Sequence, residues 1–251
     1  MVRLEESAPV SDPHTGFVGV DVVDLDRHRT ADRTRDARFM ERVFTEAERD
    51  RILSAEHPEV EVWMLWAAKE AAYKVVSKLQ GAPPVFRHRA FEVIGEPDTA
   101  DAGVRCPGVD PDPVPVRVGL STQTHADRVM AHAWDDPSSV VLVSHATVAQ
   151  AIADLGVGEP LESWQAERFS AIEGEALHGL ASALVRLMAR REAAALLEVS
   201  ESRLAIVCPP GHAGLRPPYL LLDGARVPGA DVSLSHDGSH LAWALRVPWT
   251  P

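Results

Sequence analysis

The chain has 251 residues, enough to bury a sizeable core as one large domain or two small ones. Its apolar and charged content is that of a soluble globular protein, and a formal net charge of −12 argues against nonspecific nucleic-acid binding. No apolar run reaches membrane-span length, the first residues lack a signal-peptide core, and Cys106 and Cys208 have no ligand-like neighbours, so a cytoplasmic protein with free thiols and no membrane partner is expected.

Residues 1–14 read as a loose tail. Phe17 to Leu25 is apolar and β-branched, the pattern of a buried strand. Asp21 lies inside it, and a carboxylate there is costly unless paired. A magnesium ion is one natural partner, because it takes one or two carboxylates together with substrate phosphates. A turn cap or a nearby arginine is the plain alternative. Arg27, Arg29, Arg33, Arg35, Arg38 and Arg42 follow, diluted by Asp32, Asp36 and Glu41. This helical segment reads either as a basic docking face or as a solvated mixed-charge surface. Thr45 and Glu48 have capping-box spacing at the start of a short helix, which His57-Pro58 breaks.

Trp63 to Leu79 then reads as one long helix, with apolar residues at Met64, Ala68, Ala71, Ala72, Val75 and Leu79. Glu70 and Lys74 are one turn apart on one face, the spacing of a surface ion pair or of a paired functional set. Gly81 and Pro83-Pro84 end the helix. Phe91 to Ile94 is a strand, residues 95–117 are a Pro, Asp and Gly-rich loop, and Val116 to Leu120 pairs with Val129 to Trp134.

From residue 139 the pattern begins again. Strands are expected at Val140–Val143, Leu204–Val207, Leu220–Leu222, Val232–Leu234 and Leu241–Val247, and helices at 164–173 and 175–198. Met188 to Leu196 lies over Trp66 to Lys74, Ser235 to Leu245 over Thr124 to Trp134, and Val140 to Ser144 over Val18 to Val22 or one residue earlier. Three matches in one order suggest two copies of one unit. The second copy keeps Glu192 but has Leu196 for Lys74 and no carboxylate for Asp21, so one site works and one is decayed. The expected fold is α+β: two pseudo-symmetric halves, residues 1–137 and 138–251, each a small antiparallel sheet with a long helix packed on it and meeting by pseudo-twofold symmetry.

Gly19-Val-Asp21 followed by Trp66-Ala-Ala-Lys-Glu-Ala-Ala-Tyr-Lys74 resembles the 4'-phosphopantetheinyl transferase superfamily, whose signatures are (V/I)-G-x-D and (W/F)-x-x-K-E-(A/S)-x-x-K. Gly19, Asp21, Trp66, Lys69, Glu70, Ala71 and Lys74 match position by position. The chain looks like a fused pseudo-dimer with motifs of the small holo-acyl-carrier-protein synthase type in its first half.

The resemblance implies Mg²⁺-dependent transfer of phosphopantetheine from coenzyme A to a serine of an acyl or peptidyl carrier protein. It places Asp21 and Glu70 on Mg²⁺, with Glu70 and Lys74 catalytic. Lys69, Lys74, Arg216, Ser235 and His236 would hold coenzyme A, and Arg27, Arg35, Arg38 and Arg42 would receive the carrier protein. A third metal ligand would be Asp24 or water. A monomeric pseudo-dimer is expected, although the sequence does not fix the oligomeric state. The rival readings are a metal-dependent nucleotide or coenzyme A hydrolase and a non-catalytic carrier-binding relative.

Overall fold

The computed structural model describes residues 16–28, 32–81, 83–96, 99, 101–108, 115–138, 141–211 and 214–247. The expectations for the N-terminal tail, for Arg29 and for part of the 95–117 loop lie outside these residues.

In the first half, β1 (Val18–Asp24) runs into a single turn, α1 (Leu25–His28). A 3₁₀ turn at Arg33–Arg35, α2 (Ala37–Val43), α3 (Glu46–Ser54) and the long α4 (Pro58–Leu79) follow. After a second 3₁₀ turn at His88–Ala90 come β2 (Glu92–Ile94), β3 (Gly103–Cys106), β4 (Val116–Thr124) and β5 (Arg128–Trp134). These strands form an antiparallel sheet in the order β1-β5-β4-β3-β2.

The Ala-rich stripe of α4 makes a close helix-to-sheet approach possible. Ala67, Ala68, Ala71, Ala72 and Val75 are fully buried in one cluster with Val118, Val129 and Ala131. Gly19 marks the closest point: a Cβ there would stand 1.9 Å from the Ala71 carbonyl oxygen. Two local expectations change. α4 begins at Pro58 rather than after it, because proline suits the first helical turn, where its missing N–H has no partner to lose. β3 lies within the expected 95–117 loop, where buried Val104 and Cys106 flank exposed Arg105.

In the second half, β6 (Leu142–Thr147) leads into α5 (Val148–Leu155), α6 (Leu161–Ala166), α7 (Ala171–Gly174) and α8 (Leu180–Leu196). A 3₁₀ turn at Glu201–Arg203 and β7 (Leu204–Val207) follow. Then come the short β8 (Pro210–Gly211), β9 (Gly214–Leu215), β10 (Tyr219–Leu222) and β11 (Ala225–Arg226). The hairpin β12 (Asp231–Asp237) and β13 (His240–Arg246) closes the described chain. The sheet orders are β12-β13-β6 and β11-β10-β7, with β8 paired to β9.

The sequence reading placed no element at α5, although Thr147 and Gln150 form a complete capping box there. The two expected helices at 164–173 and 175–198 divide into α6, α7 and α8. Ser170 opens α7 through a capping box with Glu173, and Gly179, at φ +100°, precedes α8.

The halves repeat one another in detail. β1-β5-β4 and β6-β13-β12 have the same strand order. Asp24 accepts from the Arg27 amide and Thr147 from the Gln150 amide, each at the foot of the helix after its strand. The Leu25 amide donates to Asp127 O and the Val148 amide to Ser239 O. This register puts Ser144 at the place of Asp21 and Trp243 at the place of Ala131. The overlay of β5 on β13 is therefore one residue off from the sequence match, and the earlier of the two β1 overlays is the correct one.

A second echo is buried. Glu48 accepts from the Thr45 and Val93 amides and from Lys69 Nζ. Glu173 accepts from the Ser170 and Ile206 amides and lies 3.6 Å from Arg190.

The halves join along β1 and β12. β1 is an edge strand, and an unsatisfied strand edge is costly when buried. Its amides at Val18, Val20, Val22 and Asp24 donate to the side chains of Asp231, Ser233, Ser235 and Asp237, at 2.8, 3.0, 3.3 and 3.0 Å. The alternation Asp-x-Ser-x-Ser-x-Asp of β12 thus serves as a row of acceptors.

Two lysines one turn apart on α4 close the seam from the other side. Lys78 Nζ donates to Val18 O, Val232 O and Asp231 Oδ2, and Lys74 Nζ to Val20 O, Leu234 O and Asp21 Oδ1. β12 holds in its sheet the place that β4 holds in the first. Unlike strands therefore meet at this seam, a head-to-tail contact in place of the expected pseudo-twofold one.

Candidate active site

A cleft of about 440 Å³ opens where β1, α4 and the end of β12 converge. Asp21 and Glu70 line it from the first half, and Ser235, His236 and Asp237 from the second. Phe39, Trp63 and Trp66 form an aromatic wall, with Trp66 stacked on Phe39 and His28 tilted over Trp63. Arg33, which sits over the Phe39 ring, and Arg42 also line the cleft. The sequence reading named Trp66 as a motif residue only and gave Phe39 and Trp63 no part in the site, because nothing local places the three side by side.

Asp21 is buried on β1, and its Oδ1 accepts from Lys74 at 2.9 Å and from Ser235 at 2.7 Å. Burial pushes its carboxyl up; Lys74 pulls it down, Glu70 pushes it up again, and the balance is upward. The mutual repulsion of Asp21 and Glu70 is what a bound cation would relieve. Lys74 therefore pairs with Asp21 and bridges the halves, rather than forming the surface pair with Glu70 that its spacing allowed. Glu70 instead has His88 Nε2 at 3.4 Å.

Several expected contacts are corrected. Lys69 is fully buried: its ammonium is held by Glu48 at 2.8 Å, His88 O at 3.2 Å and Phe91 O. Burial lowers its pKa against the pull of Glu48. It cannot reach a ligand in the cleft, so its place in the motif is structural. Ser235 lines the cleft, where its hydroxyl donates to Asp21 and accepts from the Val22 amide, so it orients the carboxylate.

Asp24 does not line the cleft, and both of its carboxylate oxygens are engaged elsewhere. Burial opposes its ionisation, but the amides of Ser239 and Arg27 and the Ser239 hydroxyl outweigh that and lower its pKa. Gly238, at φ +53°, makes room for this carboxylate, since a Cβ there would lie 2.1 Å from Asp24 Oδ2.

His236 does line the cleft; partial burial, then Arg186 and Lys74, lower its pKa. Arg216 is exposed and is not among the residues lining the cleft. Of the arginines expected to receive a partner, Arg27 pairs with Asp237 at 2.7 Å, and Arg35 is exposed and pairs with Asp32. Arg38 and Arg42 are exposed.

At the equivalent place in the second half the glutamate is already hydrogen-bonded within its own half. Glu192 accepts from Ser144 Oγ at 2.9 Å and from the Trp243 indole N–H. Glu192→Gln is accordingly expected to leave turnover within about twofold of wild type, whereas Glu70→Gln should not. Steady-state kinetics of the two variants checks this, and equal damage would contradict the decayed-site reading.

Residues 17–114 match the model of the family described as the 4'-phosphopantetheinyl transferase superfamily. The likeness to that superfamily is carried by the first half of the chain. The match spans β1, α4 and both carboxylates that line the cleft. Among solved structures, the ACPS-CoA complex of Chronobacterium ammoniagenes is 24% identical, with a TM-score of 0.38, over 47% of this chain and 95% of that one. The holo-[acyl-carrier-protein] synthase of Neisseria meningitidis is 20% identical, with a TM-score of 0.34, over 48% of this chain and 97% of its own. That of Thermotoga maritima is 16% identical, with a TM-score of 0.33, over 51% and 68%. No curated protein matches the chain. Among the described residues, no helix of the chain is long and apolar enough to cross a membrane.

Proposed function

We propose that the chain transfers 4'-phosphopantetheine from coenzyme A to a serine of an apo carrier protein, with Mg²⁺, at the cleft between its halves. The observation that carries this reading is the pair of carboxylates, Asp21 and Glu70, facing one cleft within the segment that matches the superfamily. The donor set suits Mg²⁺. No hydrogen bond engages Asp21 Oδ2 or either Glu70 oxygen among the described residues, and two carboxylates plus phosphate oxygens and water complete the preferred shell. When bound, the ion would neutralise the pyrophosphate of coenzyme A and make its phosphorus a better electrophile.

The protein's own groups do the rest. Glu70 takes the proton of the carrier serine as its Oγ forms the new bond to phosphorus and the bond to 3',5'-ADP breaks. Lys74 and Ser235 hold Asp21 in place from opposite halves. His236, on the second-half wall, donates to a phosphate of the nucleotide. Phe39, Trp63 and Trp66 keep water from the reacting phosphorus, which favours transfer over hydrolysis. Release of 3',5'-ADP that requires both an apo carrier protein and a divalent ion supports this reading. Release at the same rate without a carrier would support hydrolysis instead.

Arg35 and Arg38 are the exposed cations expected to meet an acidic carrier protein. Reversing both to Glu should raise the KM for the carrier protein and flatten its salt dependence, because exposed charges are screened over about 8 Å at physiological ionic strength. The KM for coenzyme A should barely move. An unchanged carrier KM, or a loss confined to coenzyme A, would place docking elsewhere.

A further inference from the structure

Glu70 is half-buried on α4, and its ion-pair partner among the described residues is His88. The His88 ring is clamped between Trp66 and Phe86, with centroids 4.3 and 3.9 Å away. Its Nε2 is buried, has no hydrogen-bond partner, and lies 3.4 Å from Glu70 Oε1. A buried ring nitrogen without a partner is costly, so its orientation calls for an explanation.

The backbone beneath it is fixed as well. Lys69, the residue before Glu70, turns inward and donates to the carbonyls of His88 and Phe91, and Glu48 holds that ammonium in place. Adjacent residues of α4 thus act on the same segment from two sides. Lys69 anchors the 88–91 turn from within, and the turn brings His88 back to the half-buried Glu70.

We propose that His88 is a positioning residue for Glu70. Its Nε2–H, aimed by the Trp66–Phe86 clamp, fixes the carboxylate so that one oxygen is held and the other faces Asp21 across the cleft. This rests on the metal reading above, in which Glu70 must present a set geometry. Partners that orient a ligating carboxylate typically change metal affinity or activity by about 10–100-fold when removed. The 3.4 Å separation is one that a small rotation brings to hydrogen-bond distance, as is common at unliganded catalytic sites.

His88→Phe keeps the aromatic clamp and removes the donor, whereas His88→Gln restores an N–H donor near the Nε2 position. Binding of Mn²⁺, followed by electron paramagnetic resonance without any substrate, gives a readout independent of turnover. His88→Phe should weaken Mn²⁺ binding and lower kcat by about 10–100-fold while leaving both KM values within about twofold. His88→Gln should recover most of both losses. If the Phe variant does not fold, His88→Leu takes its place in the comparison.

Wild-type Mn²⁺ affinity and kcat in the donor-less variant would overturn the proposal, as would a Gln variant damaged as much as the Phe variant. Failure of the wild-type protein itself to bind Mn²⁺ would instead bring down the metal reading, and the positioning role with it.

Discussion

Asp21→Asn and Glu70→Gln are each expected to lower kcat by about 10³-fold or more, because each removes one of the two carboxylates that present the ion, worth several kcal/mol of charge stabilisation. The substitutions are close to isosteric, so the far-ultraviolet circular dichroism spectrum should be unchanged. Asn at position 21 can still accept from Lys74 and Ser235, which separates loss of charge from loss of the seam. Glu70 does not bridge the halves and Gln keeps an acceptor for His88, so its variant should also melt near the wild-type temperature. Near-normal turnover in either protein would contradict the metal assignment and leave the cleft without a chemical role.

The largest expected effect on stability is at Lys78. Its ammonium is buried against Asp231 at 2.7 Å and holds carbonyls from both β1 and β12. Burial lowers its pKa while Asp231 opposes that, which is the signature of a charge kept inside by its partner. Lys78→Met leaves Asp231 buried and unpaired, at a cost of about 3–5 kcal/mol. For a chain of this size that corresponds to a fall in Tm of roughly 6–20 °C.

The double change Lys78→Met, Asp231→Asn removes both charges and keeps an acceptor for the Val18 amide, so it should recover a large part of the loss. A single variant that melts within about 2 °C of wild type would show that the seam does not depend on this pair. Activity should fall with stability in the single variant, because the same strand carries Ser235 to Asp21.

Asp21 was legible as a carboxylate in an apolar strand, whereas Glu70, whose spacing to Lys74 alone reads as a surface pair, stood out only beside Asp21 and the two-motif resemblance. The duplicated topology was legible because each strand and long helix carries its own period. What escaped was the identity of the partners. Lys74 reads as the mate of Glu70 four residues away, yet it is drawn to Asp21 and the β12 carbonyls, contacts set by packing between halves.

Lys69 sits in the same motif and turns inward to a capping-box glutamate, which no spacing rule announces. The one-residue shift of β5 on β13 followed from matching His and Ala residues, while the true register is set by backbone contacts at Leu25 and Val148. The acceptor row of β12 does have a readable signal, alternate Asp and Ser along one strand face. Its meaning depends on an unpaired strand edge lying opposite. His88 had no signal of its own, because its role comes from a turn folded back onto α4.

The central claim is that the cleft between the halves moves phosphopantetheine onto a carrier serine. Intact-mass analysis of several apo carrier proteins, each incubated with the wild-type protein, coenzyme A and Mg²⁺, tests it directly. The account predicts that at least one carrier gains a single phosphopantetheine, that its serine-to-alanine variant gains nothing, and that a chelator abolishes the gain. Unmodified carriers alongside consumed coenzyme A, or modification that persists in the Asp21→Asn protein, would contradict it.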